Sequence, residues 1–144
     1  MELDKLIEFT RIDEIKILSN VRLIHKHDMN PVYSKDNLRT QFEINGDIRG
    51  AVTCFLCLDG HELNPAEKNF IFPLFTEAMN ILIGKQISLD PELSLYTIKL
   101  SPPKLSMIAQ EINSAHKQMV QSYELELEGY SFQILIEYSI QAMN

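Results

Sequence analysis

The sequence predicts a single α+β domain over residues 1–144, built from a helix-plus-three-strand unit used twice. Three observations carry this. One is the order of elements, which runs helix, strand, loop, hairpin over Glu2–Leu58 and again over Pro65–Ile140. Another is a pair of glycine-centred hairpins, at Gly46–Gly50 and at Gly129, placed alike in the two halves. The third is one strong helical segment, Phe70–Gly84, in which Ile71, Leu74, Phe75, Ala78 and Leu82 recur on one face.

Composition bounds the reading. The 144 residues are 45% hydrophobic and 23% charged, enough to bury a core as one globular domain. A formal net charge of -7 argues against nucleic acid and against an anionic membrane surface, both of which need clustered Lys and Arg. No run reaches the ~18–20 apolar residues of a membrane span. The amino-terminal MELDKLIEFTRIDEIK is charged throughout, without the apolar segment of a signal peptide, so a reducing cytoplasm is the expected compartment.

In chain order, Glu2–Ser19 reads as an amphipathic helix, with Leu3, Leu6, Ile7, Ile15 and Leu18 toward one side. Val21–His27 reads as a strand whose His25 and His27 point the same way; with no third ligand nearby they read as surface or edge histidines, and no metal site is expected. Asp28–Asp36, with Asn30-Pro31, is a loop. Leu38–Asn45 and Ala51–Leu58 form the first hairpin across Gly46-Asp47-Ile48-Arg49-Gly50. Cys54 and Cys57 fall on opposite faces of the second of these strands, which suits two buried thiols and not a disulfide or shared metal.

The helix then has a start signal in Asn64-Pro65-Ala66-Glu67, offering an N-cap, a proline at the first helical position and a carboxylate at the third. Gly84-Lys85 suits its far end. Pro73 removes a donor opposite the Asn69 carbonyl, so a kink or a late start is expected there. Leu93–Leu100 alternates as a strand that Ser101-Pro102-Pro103 stops, and Met107–His116 reads as a short helix or ordered loop. Met119–Glu128 and Tyr130–Ile140 form the second hairpin, with Phe132, Ile134, Ile136 and Tyr138 on one face of the last strand.

On the helical wheel Asn69, Pro73, Glu77, Asn80 and Gly84 share the side opposite the apolar face, so a carboxylate, a carboxamide and a residue without a side chain lie along one exposed stripe. Ordinary solvated surface would also place polar residues there. Sliding DEIKILSN over EAMNILIG sets Asp13 on Glu77, Lys16 on Asn80 and Asn20 on Gly84, so only the second helix carries the full pattern.

The spacing Glu77-x-x-Asn80-x-x-x-Gly84, with the Gly46-Asp47-x-x-Gly50 turn and the duplicated unit, resembles the CheC/CheX/FliY chemotaxis phosphatases. The single copy of the motif is similar to CheX. The resemblance implies a six-stranded, mainly antiparallel sheet with two principal helices packed on it, and a homodimer. It implies as activity the hydrolysis of the aspartyl phosphate of a phosphorylated CheY-like response regulator, with Asn80 and Glu77 as the catalytic pair and Gly84, Pro73, Asn69 and Lys85 meeting the partner. No cofactor of the chain's own is implied; Mg2+ is expected on the regulator. Family members usually carry a further helix before the motif helix, whereas only Asp59–Asn64 precedes it here. The alternative reading is a non-catalytic adaptor of the same fold that binds a response regulator or another signalling partner. A hydrolase with its own nucleophile has no G-x-S-x-G elbow to support it, and no P-loop or dinucleotide fingerprint occurs.

Overall fold

The computed structural model describes residues 14–18, 20–26, 36–58, 60–89, 96–108, 119–127 and 129–142. Among them are eight strands and one helix. The strands are β1 (Glu14–Leu18), β2 (Val21–His25), β3 (Asn37–Gly46), β4 (Ile48–Cys57), β5 (Ile98–Leu100), β6 (Lys104–Ile108), β7 (Met119–Leu127) and β8 (Tyr130–Ala142). The helix, α1 (Pro65–Leu89), connects β4 to β5. The strands form one sheet in the order β1-β2-β7-β8-β4-β3-β5, with β6 also on β3, and every pairing is antiparallel.

One face of the sheet carries the main core. Val21 and Leu23 of β2, Leu38, Phe42 and Ile44 of β3, Val52, Cys54 and Leu56 of β4, and Phe132, Ile134, Ile136 and Tyr138 of β8 share it with Ile71, Phe75, Ala78, Met79, Leu82 and Ile83 of α1. These strand positions alternate by two and the helical ones recur by three and four, as burial of one sheet face against one helix stripe requires. The other sheet face is buried at its centre too, where Phe55 and Leu135 are register partners and Glu137 is only 2% exposed. Toward β2 and β7 that face becomes ionic, with Arg22 Nε 3.0 Å from Glu126 Oε2 and Lys26 Nζ 2.8 Å from Glu124 Oε2.

Both expected hairpins are present. The first is tighter than its sequence suggests, because β3 runs to Gly46 and β4 begins at Ile48, leaving only Asp47 between them. Cys54 and Cys57 are both buried and not joined in a disulfide, and desolvation pushes the Cys54 thiol well above its ordinary value.

Several expectations are corrected. The helix over Glu2–Ser19 gives way to strand at Glu14–Leu18, which pairs with β2 across a turn at Asn20. E-I-K-I-L alternates polar with apolar and is rich in isoleucine, and pairing with β2 realises that period of two in place of the helical one. Residues 1–13 and 19 lie outside the described residues. β1 covers β2 from Val21 to Ile24, and His25 lies one residue beyond that pairing; it is half-buried and stacks on Tyr123 with ring centroids 4.7 Å apart, and His27 lies outside the described residues. Lys104–Ile108 is strand, so a helix cannot begin at Met107; 109–118 are not described. Ser101-Pro102-Pro103 ends β5 at Leu100 as expected, but β6 then resumes the pairing along β3 with one extra residue accommodated between Leu100 and Lys104. Of Leu93–Leu100, the described strand is Ile98–Leu100. The six expected strands are thus eight, and with one helix among the described residues the two-helix, duplicated architecture is not established.

Candidate functional site: the exposed face of the central helix

Helix α1 is fixed first at its amino terminus. The Asn64 Oδ1 accepts from the Glu67 N–H at 2.8 Å, and Glu67 Oε1 accepts from the Asn64 N–H at 3.2 Å, a reciprocal capping box that satisfies two amides with no helical partner. Pro65 sits at the first helical position, where its missing N–H is harmless. The other oxygen of Glu67 accepts from the Tyr130 hydroxyl at the start of β8, joining the helix to the sheet. That hydrogen bond and the one from Asn64 hold the Glu67 carboxyl below the usual carboxylate range, and the same carboxylate pushes the Tyr130 phenol up.

The helix is continuous over 25 residues, with Pro73 inside it. Asn69 and Pro73 are both exposed, so water can reach the carbonyl that Pro73 leaves without a donor. One turn on, the Thr76 hydroxyl donates to the Phe72 carbonyl at 3.0 Å. Gly84-Lys85 does not end the helix, which runs to Leu89, so Gly84 is an interior glycine. Leu82 and Ile83 in the core and Ile81 packed against it hold the turn that leads into Gly84 on the sheet.

Glu77, Asn80 and Gly84 are all exposed, as are Asn69, Pro73 and Lys85. Glu77 and Asn80 are three positions apart and so about 5–6 Å apart at Cβ, close enough to act on one group. Lys85 follows Gly84 but points about 100° around the helix from it. Gly84 has an unexpected property. A Cβ built on it meets nothing within 4 Å, so the packing of this chain does not require glycine there. The matching positions proposed in the first half do not form a second copy: Lys16 is on β1, Asn20 is in a turn, and Asp13 is outside the described residues.

The sequence missed one member of this surface. Phe70, in the apolar run Phe70–Phe75, is 46% exposed, seven positions before Glu77 and therefore on the same side of the helix. The wheel that placed Glu77 would have placed it. A groove of about 740 Å³ lies at the helix start, lined by residues that include Asp36, His61, Glu62, Glu67 and Lys68. It contains none of the expected site residues. Among the described residues no group of three or more His, Cys, Asp or Glu is placed to hold a metal ion, and no helix is long and apolar enough to cross a membrane.

No family model matches the sequence, and no curated protein matches it. Solved structures do match. A chain of the CheX–CheY–BeF3–Mg2+ complex from Borrelia burgdorferi aligns at TM-score 0.54 and 15% identity, over 96% of this chain and 94% of that one. CheX from Vibrio vulnificus aligns at TM-score 0.52 and 12% identity, over 83% and 84%. FliY from Thermotoga maritima aligns at TM-score 0.51 and 17% identity, over 93% and 80%. In fold, the chain resembles the CheC/CheX/FliY proteins along most of its length.

Proposed function

We propose that this chain accelerates hydrolysis of the aspartyl phosphate of a CheY-like response regulator, in chemotaxis or a related two-component pathway of the cytoplasm. The observation that carries the reading is the exposed Glu77/Asn80 pair, beside an interior glycine that the chain's own packing does not need, on the helix of a CheX-like fold. An acyl phosphate is already activated, and the regulator contributes Mg2+ and a lysine around the phosphoryl group, so the chain needs no cofactor of its own. What hydrolysis lacks is a water held in line with the leaving oxygen. The Asn80 carboxamide both donates and accepts hydrogen bonds and carries no charge, so it orients that water without repelling the phosphoryl oxygens. Glu77, one turn earlier, pairs with the regulator's lysine and fixes the register of docking. Asn69, Pro73, Gly84 and Lys85, spread along the helix, complete the contact surface, and the active form is a homodimer.

The test is phosphate loss from a phosphorylated CheY-like receiver with magnesium, in the presence of wild type or Asn80→Ala. Acceleration by the wild type, a fall on the order of 10²-fold in the variant and retained binding by both are the expected results. Equal decay with and without the protein across several receivers removes the catalytic role. A non-catalytic adaptor is the second reading, and the short run from β4 into α1, with no helix among its described residues, favours it. An adaptor would bind the receiver and leave its decay unchanged.

A further inference from the structure

The outward face of α1 is unusual in its charge. Ala66, Phe70, Pro73, Glu77, Asn80 and Gly84 are all exposed and fall within an arc of about 80° on the wheel. Glu77 is the only ionisable residue among them, in a chain with 33 Lys, Arg, Asp and Glu residues by its counts of 13 basic and 20 acidic. Exposed faces of helices in water are ordinarily laced with charge. This one is a neutral strip about 27 Å long with one carboxylate near its middle. It is also shaped: Phe70 projects at 46% exposure about 10 Å before Glu77, and about 10 Å beyond Glu77 the surface drops to bare backbone at Gly84.

We infer that the partner lies lengthwise along α1, with an apolar pocket over Phe70 and a protruding segment seated on Gly84, so that the aromatic ring and the glycine together set its direction on the helix. The inference rests on the proposed function and commits to the same occupant, a CheY-like receiver. The fit is one of charge: Glu77, the single carboxylate of the strip, meets the receiver's lysine, and the uncharged residues on either side of it place no further negative charge against the phosphoryl oxygens. Phe70 is the anchor in this arrangement. Aromatics that become covered on association are the residue class on which binding energy concentrates.

The experiment measures binding of a receiver treated with beryllofluoride and Mg2+ to wild type, Phe70→Ala, Phe70→Leu and Lys68→Ala, with turnover of the phosphorylated receiver measured on the same proteins. Lys68 is exposed on α1 away from the strip and serves as the control. Phe70→Ala is expected to raise Kd about tenfold or more, with the rate at saturating receiver unchanged, Phe70→Leu to recover part of the loss, and Lys68→Ala to behave as wild type. A Phe70→Ala protein that binds within twofold of wild type overturns the inference while leaving the phosphatase reading intact. So does a loss of saturating rate at unchanged Kd, and so does a shift from dimer to monomer, which would assign Phe70 to a second copy of the chain. Failure of the wild type to bind any receiver overturns the inference and the proposed function together.

Discussion

The Asp47 carboxylate accepts a hydrogen bond from the Thr97 N–H at 2.8 Å, and the Asp47 N–H donates to the Thr97 carbonyl at 2.9 Å. Two bonds thus clasp the β3–β4 turn to the chain entering β5. Gly46 makes the approach possible, since a Cβ there would sit 2.1 Å from the Thr97 carbonyl oxygen and its φ is +116°. The Gly-Asp pair of this turn therefore serves the fold. Gly46→Ala is expected to destabilise by at least about 2 kcal/mol in urea unfolding. Asp47→Ala should cost about 1 kcal/mol, and Asp47→Asn, which keeps an acceptor, less. A Gly46→Ala protein as stable as wild type would contradict the close approach.

The Glu67–Tyr130 hydrogen bond needs an ionised carboxylate and a neutral phenol. Glu67 has a lowered folded value, so its contribution is complete above about pH 4.3 and is lost as pH falls through that lower value. Tyr130 has a raised one, so its contribution is complete below about pH 10 and is lost as pH rises through that higher value. Glu67→Gln and Tyr130→Phe should each flatten stability against pH at the corresponding end, and the double variant should lose less than the sum of the two. Additive losses would show that the two residues do not act on one another. Asn64→Ala removes the other half of the cap and is expected to cost about 1 kcal/mol.

Gly84→Ala separates fold from function. With open space around the new methyl, the helix should gain roughly 0.5–1 kcal/mol, seen as a rise of a few degrees in Tm. The same variant should bind the receiver less well. A stabilised protein with unaltered binding would leave the glycine without a role at the surface.

Thr40 is fully buried on β3, and its Oγ1 has no hydrogen-bond partner among the described residues. Replacing that hydroxyl with a methyl removes a desolvation cost at little change of shape, so Thr40→Val should be neutral or stabilising by about 1 kcal/mol. Clear destabilisation in chemical unfolding would mean that the hydroxyl is bonded after all.

What the sequence reveals follows the range of the interactions. The capping box that starts α1 was legible because Asn64 and Glu67 are three apart and bond each other, whereas the late start that Pro73 also suggested does not occur. Both hairpins were legible because their turns are local and carry glycine. β1 and β6 were not, being five-residue segments whose few apolar positions fit a helical or loop reading until a partner strand is present. The end of α1 was misplaced at Gly84, where packing on the sheet outweighs the modest intrinsic penalty of glycine. On α1, the shared exposure of Glu77, Asn80 and Gly84 was legible from their helical spacing. The Tyr130 tether was not, because 63 residues separate its two ends.

β8 follows every other described strand in the chain, yet it lies at the centre of the sheet, joining β7 on one side to β4 on the other. Among the described strands, the β3–β4 hairpin and the β1–β2 pair come early in the chain and are joined within the sheet only through β8 and β7. During synthesis, then, β4 lacks its inner neighbour until β8 has left the ribosome, and the apolar faces on either side of that gap wait in the open with α1. Folding is expected to be slow and all-or-none for this reason, and the cell must shelter the growing chain for as long as that central strand is missing.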